Sequence, residues 1–157
     1  MSAANEALRY LSSHHVMTLC TFGTEGPWAT AVFYVNEGFT LFFLSEAGTR
    51  HGQNLSRDSR VALAVHEDYR DWREIKGLQM AGEARAVSPR EKAALLPAFA
   101  AKYPHLGVFF TDPRYVAVMV RALVYRVRPR EVWYLDNGKG FSRRERIVPP
   151  SGDDVGY

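Results

Sequence analysis

The fold of this chain is decided by residues 16–45, which read VMTLCTFGTEGPWATAVFYVNEGFTLFFLS. This stretch holds three runs rich in β-branched and aromatic residues, separated by two short turns that contain glycine: 16–22, 27–35 and 40–45, with turns at 23–26 and 36–38. Such runs predict strands, and such short connections join antiparallel neighbours. We therefore expect a meander of two hairpins, because the connections are too short for crossover helices.

The rest of the sequence predicts four more strands, for a total of about seven: Arg60–His66, Ile75–Val87, Leu123–Val127 and Val132–Asp136. A turn at 128–130 is expected to join the last two. Gly77 and Gly82 interrupt the longest run, and glycines inside a strand often mark a bulge or a close approach of another group. Many short antiparallel strands favour a closed barrel, because closure removes exposed sheet edges.

Three or four peripheral helices are predicted, beginning near Asn5, Thr49 and Ser88, with a short fourth candidate at Asp112. Thr49 is a plausible N-cap for a short helix that runs toward Leu55. Ser88 and Glu91 form a capping box with proline at the first helical position. The helix that follows carries Leu96, Phe99, Ala100 and Tyr103 at helical spacing. We expect Pro97 to kink or break this helix. The predicted fold class is mainly β with peripheral helices.

Length and composition limit the function classes. The 157 residues suit one domain, at 1–148, and the tail at 149–157, rich in Pro, Gly and Asp, is expected to be disordered. The formal net charge is +3 and the pI about 9.1, but no nucleic-acid-binding motif is present, so we expect no nucleic acid partner. A single cysteine, Cys20, excludes a disulfide framework and multi-cysteine metal sites.

No targeting or membrane-spanning segment is expected from the sequence. The N-terminus has no basic stretch followed by an apolar core, and no apolar run approaches the roughly 20 residues that a membrane-spanning helix needs. We therefore expect a cytoplasmic protein without a membrane partner. The five histidines are scattered, so no metal site is predicted.

Familiar catalytic motifs are absent, and one polar loop remains. The sequence has no P-loop, no complete Rossmann glycine motif, no nucleophile elbow and no zinc-protease helix. Ser45 and the run Thr49-Arg50-His51 place a hydroxyl, a guanidinium and an imidazole near a helix start. Helix N-termini and arginine bind phosphate oxygens. The loop is thus either a phosphate cradle or an ordinary helix cap with a solvated arginine, and the local sequence leaves both open.

Taken together, these segments resemble the pyridoxamine 5′-phosphate oxidase-like family of FMN-binding split barrels, and in particular its small uncharacterised branch. The resemblance covers roughly residues 5–147 and rests on the order and spacing of a series of motifs: VMTLCT at 16–21, GPWATAVFY at 26–34, LFFLS at 41–45, TRH at 49–51, GLQMAG at 77–82 and WYLDNGKGF at 133–141. It implies an antiparallel split β-barrel that binds FMN.

The resemblance also implies a set of cofactor-binding residues at a homodimer interface. The flavin ring is expected along the second strand, and the ribityl phosphate at the end of the third strand and the next loop: Trp28, Ala29, Thr30 and Ala31 for the ring, and Leu44, Ser45, Thr49, Arg50 and His51 for the phosphate. The partner subunit is expected to contribute Gln79 and Lys76. Trp133, together with Asn137 and Lys139, is a candidate from the closing segment.

The activity implied is that of an oxidoreductase that transfers a hydride between flavin and an unidentified small organic substrate. Since redox chemistry belongs to the flavin, no catalytic side chain is named. His51 stands where family members often have lysine, and the arginine-rich pattern that binds pyridoxal phosphate is not matched, so vitamin B6 oxidation is not expected. Two alternatives on the same barrel remain open: a haem-binding protein with a histidine ligand, and a flavin-binding protein without catalysis.

Overall fold

The computed structural model describes residues 1–149 and contains seven strands and five α-helices within them. The strands are β1 (Val16–Gly23), β2 (Gly26–Glu37), β3 (Thr40–Ser45), β4 (Arg60–His66), β5 (Lys76–Ala86), β6 (Leu123–Asp136) and β7 (Arg144–Ile147). The helices are α1 (Ala3–Ser13), α2 (Arg50–Arg57), α3 (Pro89–Lys102), α4 (Val108–Thr111) and α5 (Pro113–Arg121). The tail predicted to be disordered lies outside the described residues except for Pro149.

The strands close into an antiparallel barrel, as the sequence predicts. Their order is β3-β2-β1-β4-β5-β6-β7, and an additional β3–β6 pairing joins the ends of a six-stranded barrel, with β7 added to β6. Every second side chain points into the barrel, where a continuous apolar core forms around buried residues such as Leu19, Tyr34, Leu63 and Val127. The predicted fold class is therefore confirmed.

Helix α3 covers part of the outside of the barrel. Leu95 and Phe99 are buried against Val35 and Phe42, which face outward from β2 and β3. The buried hydroxyl of Tyr103, just after α3, donates to the carbonyl oxygen of His15 at 2.8 Å, and burial raises the pKa of this phenol to about 12. The end of α3 is thereby attached to the start of the meander.

The expectation for Pro97 is wrong in one respect, because α3 does not end there. Pro97 is exposed, and the helix continues as far as Lys102. Leu95 and Phe99 are buried on either side of the proline, and tertiary packing of this kind supplies most helical stability in proteins. Leu96, predicted on the packed face, is half-buried, and Ala100 is exposed.

The predicted turn at 128–130 is also wrong: residues 123–136 form one strand, β6. Against β5, Gly82 pairs with Pro129 and Ala81 pairs with Glu131, so Arg130 is an extra residue in a β-bulge. Proline is tolerated in a strand at a bulge because its missing N–H costs no ladder hydrogen bond there. Strand β7 was not predicted, since of its four residues only Ile147 is buried.

The bulge explains why residue 82 is glycine. A Cβ at Gly82 would lie 2.2 Å from the carbonyl oxygen of Arg128 and 2.8 Å from the Cα of Pro129. Both neighbours are backbone atoms, which cannot move without displacing β6. The prediction of a close approach at Gly82 is confirmed.

We expect Gly82→Ala to lower the free energy of unfolding by about 2–3 kcal/mol, because the methyl group overpacks the β5–β6 contact. Gly107→Ala is the matched control: a Cβ there meets nothing within 4 Å, so its effect should stay within about 0.5 kcal/mol. Urea denaturation of both variants measures the difference. Equal stabilities would contradict the account of the bulge.

Candidate functional site

The site begins where β2 and β3 separate. They pair over only four residues, from Glu37↔Thr40 to Tyr34↔Phe43. Beyond this point β2 continues toward Gly26 beside β1, whereas β3 continues beside β6 as far as Ser45↔Leu123. Between residues 26 and 33, the β2 edge that faces away from β1 therefore has no strand paired to it among residues 1–149.

A cleft of about 370 Å³ occupies the gap. The separated strands form its walls, and α3 to α5 with the segments beside them form its roof. Its lining is mostly apolar, with a polar group at one end: Ala31, Val32, Phe33, Leu44, Ser45, Glu46, His51, Phe99, Leu106, Phe109, Val118, Met119 and Ala122. Its size falls within the range of small-molecule sites.

The polar end of the cleft is a hydrogen-bonded cluster. The Oγ of Ser45 lies 2.6 Å from Nε2 of His51 and 3.3 Å from Oγ1 of Thr49. Thr49 caps α2, as predicted, because its Oγ1 accepts from the N–H of Gly52 at 3.1 Å. His51 is buried, and this desolvation lowers the pKa of its imidazole. Above that lowered pKa His51 is neutral, so it offers a hydrogen bond but no charge.

The positive charge at this end is supplied by Arg50. Its guanidinium carbon lies 4.1 Å from the centroid of the Trp28 ring, and its Nη2 lies 3.5 Å from the Glu25 carboxylate. Both members of this ion pair are exposed, with side-chain accessibilities of 40% and 79%. Exposed pairs of this kind are weak, so the guanidinium is accessible to another anion.

Nine of the predicted residues are concentrated around the gap. Ala31, Leu44, Ser45 and His51 line the cleft itself. Thr49 contacts Ser45 at the polar end of the cleft. Arg50 follows Thr49 in the chain and stacks on Trp28, so Arg50 and Trp28 lie next to that end. Ala29 and Thr30 complete the β2 segment between Trp28 and the cleft. Their roles toward a cofactor remain predictions.

The other three predicted residues lie elsewhere on the barrel. Gln79 is three strands away from Ala31 through the pairs Ala31↔Thr18, Thr18↔Ala64 and Ala64↔Gln79, about 14 Å at the usual strand spacing. Trp133 is one strand further, and its Nε1 donates to Glu131 at 2.6 Å.

Lys76 begins β5 beside α1, 3.5 Å from the Asp136 carboxylate. Two further residues named with Trp133 are also engaged locally. Asn137 donates to the carbonyl oxygen of Trp72 at 2.7 Å, and Lys139 pairs with Glu6. The fold of a single chain therefore does not bring Gln79, Lys76 or Trp133 to the cleft.

The residues of the roof were not predicted from the sequence. Helix α3 contributes Phe99, the segment after it contributes Leu106, and α4 contributes Phe109. Helix α5 and the residue after it contribute Val118, Met119 and Ala122. The last three share one side of a helix at i, i+1 and i+4, which is a detectable apolar signal. Nothing in the local sequence shows that this side faces a gap between β2 and β3.

The histidines differ in their surroundings. His14 contacts the carbonyl oxygen of Tyr10 at 2.6 Å and Glu67 at 2.7 Å through its two nitrogens. His105 is exposed beside the cleft, next to the lining residue Leu106, and its ring centroid lies 5.8 Å from that of Phe33.

No helix among residues 1–149 combines the length and apolar character that crossing a membrane demands.

Comparison with known proteins agrees with this architecture. The family model described as pyridoxamine 5′-phosphate oxidase matches residues 3–136. A UPF0306 protein of Klebsiella pneumoniae is 33% identical over 138 residues, which are 87% of this chain and 86% of that protein.

Two solved structures are similar as well. A haem-binding protein from Mycobacterium smegmatis has a TM-score of 0.75 and 26% identity; the match covers 94% of this chain and 58% of that one, so this chain spans less than two thirds of it. A FAD-binding protein from Mesorhizobium loti has a TM-score of 0.63 at 17% identity, over 84% of this chain and 92% of that one, which shows the fold alone. The family model and the barrel together establish that this chain belongs to the pyridoxamine 5′-phosphate oxidase family of split barrels.

Proposed function

We propose that this protein is an FMN-binding oxidoreductase that acts as a homodimer on a small organic substrate. The observation behind the proposal is the arrangement at the gap. An accessible arginine and a capped helix start lie near an unpaired strand edge that carries small residues, next to the apolar cleft. FMN has the same division, with a phosphate dianion at one end and a flat ring with polar edges at the other.

The phosphate end fits the start of α2. Arg50 provides a fork of N–H donors, and charge-assisted hydrogen bonds to phosphate are among the stronger ones in proteins. The helix start adds partial positive charge. The backbone N–H groups in the first turn of α2 offer further donors. Burial lowers the pKa of His51, so the imidazole is neutral above that pKa. Arg50 is therefore the main source of positive charge here.

The ring end fits the edge of β2. Ala29 and Ala31 are exposed, and their small side chains allow a planar group to approach the strand closely. The backbone groups on this edge can bond to the polar edge of a flavin. A bound flavin supplies two-electron transfer, while the chain binds it, orients it and excludes water from one side.

We propose that a second copy of the chain supplies Gln79, which lies far from the cleft of its own chain. Gln79 is exposed on the outer face of the sheet formed by β2, β1, β4 and β5. This face is weakly polar, with exposed or half-buried small residues and three exposed apolar ones: Thr18, Ala29, Ala31, Ala62, Ala64, Ala81, Val16, Phe22 and Phe33. Packing two such faces together buries apolar area and moves Gln79 of the partner subunit toward the cleft.

We expect Arg50→Ala to weaken FMN binding by about 1.5–3 kcal/mol, since it removes a charged hydrogen-bond donor to the phosphate. Fluorescence titration of flavin-free protein with FMN measures this effect. Arg57→Ala is the matched control, because Arg57 lies at the other end of α2 and should leave the affinity unchanged. A wild-type chain that takes up no FMN, or an Arg50→Ala chain with full affinity, contradicts the proposed site.

The dimer is tested by complementation. We expect Gln79→Ala to weaken FMN binding although Gln79 lies about 14 Å from the cleft of its own chain. When Arg50→Ala and Gln79→Ala chains are co-expressed, each mixed dimer should regain one intact site, because one chain supplies Gln79 and the other Arg50. Recovery of FMN binding in the isolated mixed dimer measures this. A monomeric chain, or mixed dimers with no recovery, excludes a shared site.

Haem binding is the second candidate function, and His105 is the observation that favours it. This exposed imidazole lies beside the cleft, and a haem-binding protein is 26% identical to this chain. If haem is the ligand, hemin gives a Soret band that His105→Ala abolishes and His66→Ala leaves unchanged. A Soret band unaffected by His105→Ala, or absent in the wild type, rejects this candidate.

A further inference from the structure

We propose that the inner cleft, under the roof of α3 to α5, binds a neutral aromatic substrate that has a hydrogen-bond-accepting oxygen, such as an aromatic ketone or a quinone. This inference rests on the proposed function, because the ligand is a substrate only if a flavin ring binds next to the cleft at Ala31.

The lining favours an aromatic ring. Phe33, Phe99 and Phe109 come from a strand, a long helix and a short helix, and all three line the same space. Aromatic rings pack well against other rings in offset or edge-on arrangements. Met119 adds a flexible thioether from the roof, which adapts to the shape of a ring.

The charges favour a neutral molecule. Among the described residues, no lysine or arginine lines the cleft, and Glu46 is the charged residue that does. The Glu46 carboxylate already accepts a hydrogen bond from Nε of Arg121 at 3.1 Å. An anion entering the cleft loses its water and gains no counter-charge, while a cation must compete with Arg121.

The polar end provides a site for one oxygen. Ser45 Oγ and His51 Nε2 are 2.6 Å apart, and the direction of this hydrogen bond depends on the His51 tautomer. In the tautomer that is protonated at Nε2, His51 donates to Ser45, and the serine proton is left to Thr49 Oγ1 at 3.3 Å, a long contact that a ligand oxygen can replace. A carbonyl oxygen accepts such a proton, whereas a hydrocarbon leaves it unused.

The roof is fixed mainly at one end of α5. Nζ of Lys92 on α3 donates to the carbonyl oxygens of Met119 at 2.7 Å and Ala122 at 2.5 Å. The pair between Arg121 and Glu46 joins the same end of α5 to the loop after β3. These contacts hold Met119 over the cleft, while its neighbour Val120 is 74% exposed and does not line it.

The test compares two ligands of nearly equal size. Acetonaphthone is a neutral aromatic ketone, and naphthoate is its anionic counterpart. Calorimetric titration is carried out with flavin-free protein and with protein saturated with FMN. We expect acetonaphthone to bind in both cases and naphthoate to bind at least tenfold more weakly. Equal affinities for the two, or no binding of the ketone, overturn the inference.

Variants of the roof localise the binding. Met119→Glu should weaken acetonaphthone binding at least tenfold, because it places a carboxylate over the ring, while Val120→Glu should change it less than twofold. Phe109→Ser is a second variant of the lining in case Met119→Glu does not fold, as judged by circular dichroism. A ketone affinity that neither Met119→Glu nor Phe109→Ser changes places the ligand elsewhere and rejects the inference.

The FMN arm separates this inference from the proposed function. If FMN displaces acetonaphthone competitively, the cleft is the pocket of the cofactor itself and the inference is wrong, although FMN binding stands. If the chain takes up no FMN, the proposed function fails, and the flavin-free titration with its roof variants still decides whether the cleft selects neutral aromatic molecules.

Discussion

The whole site depends on the pairing of β3 with β6, which separates the end of β3 from β2. Closing the barrel requires β3 to pair with β6 along its length, from Leu41↔Val127 to Ser45↔Leu123. Strand β2 remains with β1, and the two halves of the hairpin part after Tyr34↔Phe43. The gap therefore follows from barrel closure, and the cleft, the free strand edge and the start of α2 all border it.

Local signals in the sequence were sufficient for most elements of the fold. The meander, the Thr49 cap and the Ser88–Glu91 capping box each depend on residues close together in the chain. The error at Pro129 has a non-local cause. Proline and its neighbours have a turn-like composition, and the residue that lets the strand continue is Gly82, which lies on β5. Pairing with β5 makes residues 123–136 one continuous strand, and the sequence of β6 alone does not show this pairing.

The site was predictable in part, for the same reason. Ser45, Thr49 and His51 lie within seven residues of one another, so their cluster follows from one turn and one helix start. Met119 and Phe109 reach the cleft through the docking of α4 and α5, which no local pattern specifies. Gln79 lies far from Ala31 in one chain, so its place in a site depends on a second chain.

The contact between Glu25 and Arg50 joins the hairpin turn between β1 and β2 to the start of α2. Because both side chains are exposed, this ion pair is weak and is screened by salt. The guanidinium also stacks on the Trp28 ring, 4.1 Å from its centroid, and this contact needs no counter-charge. As ionic strength rises, the position of Arg50 therefore depends more on Trp28 than on Glu25.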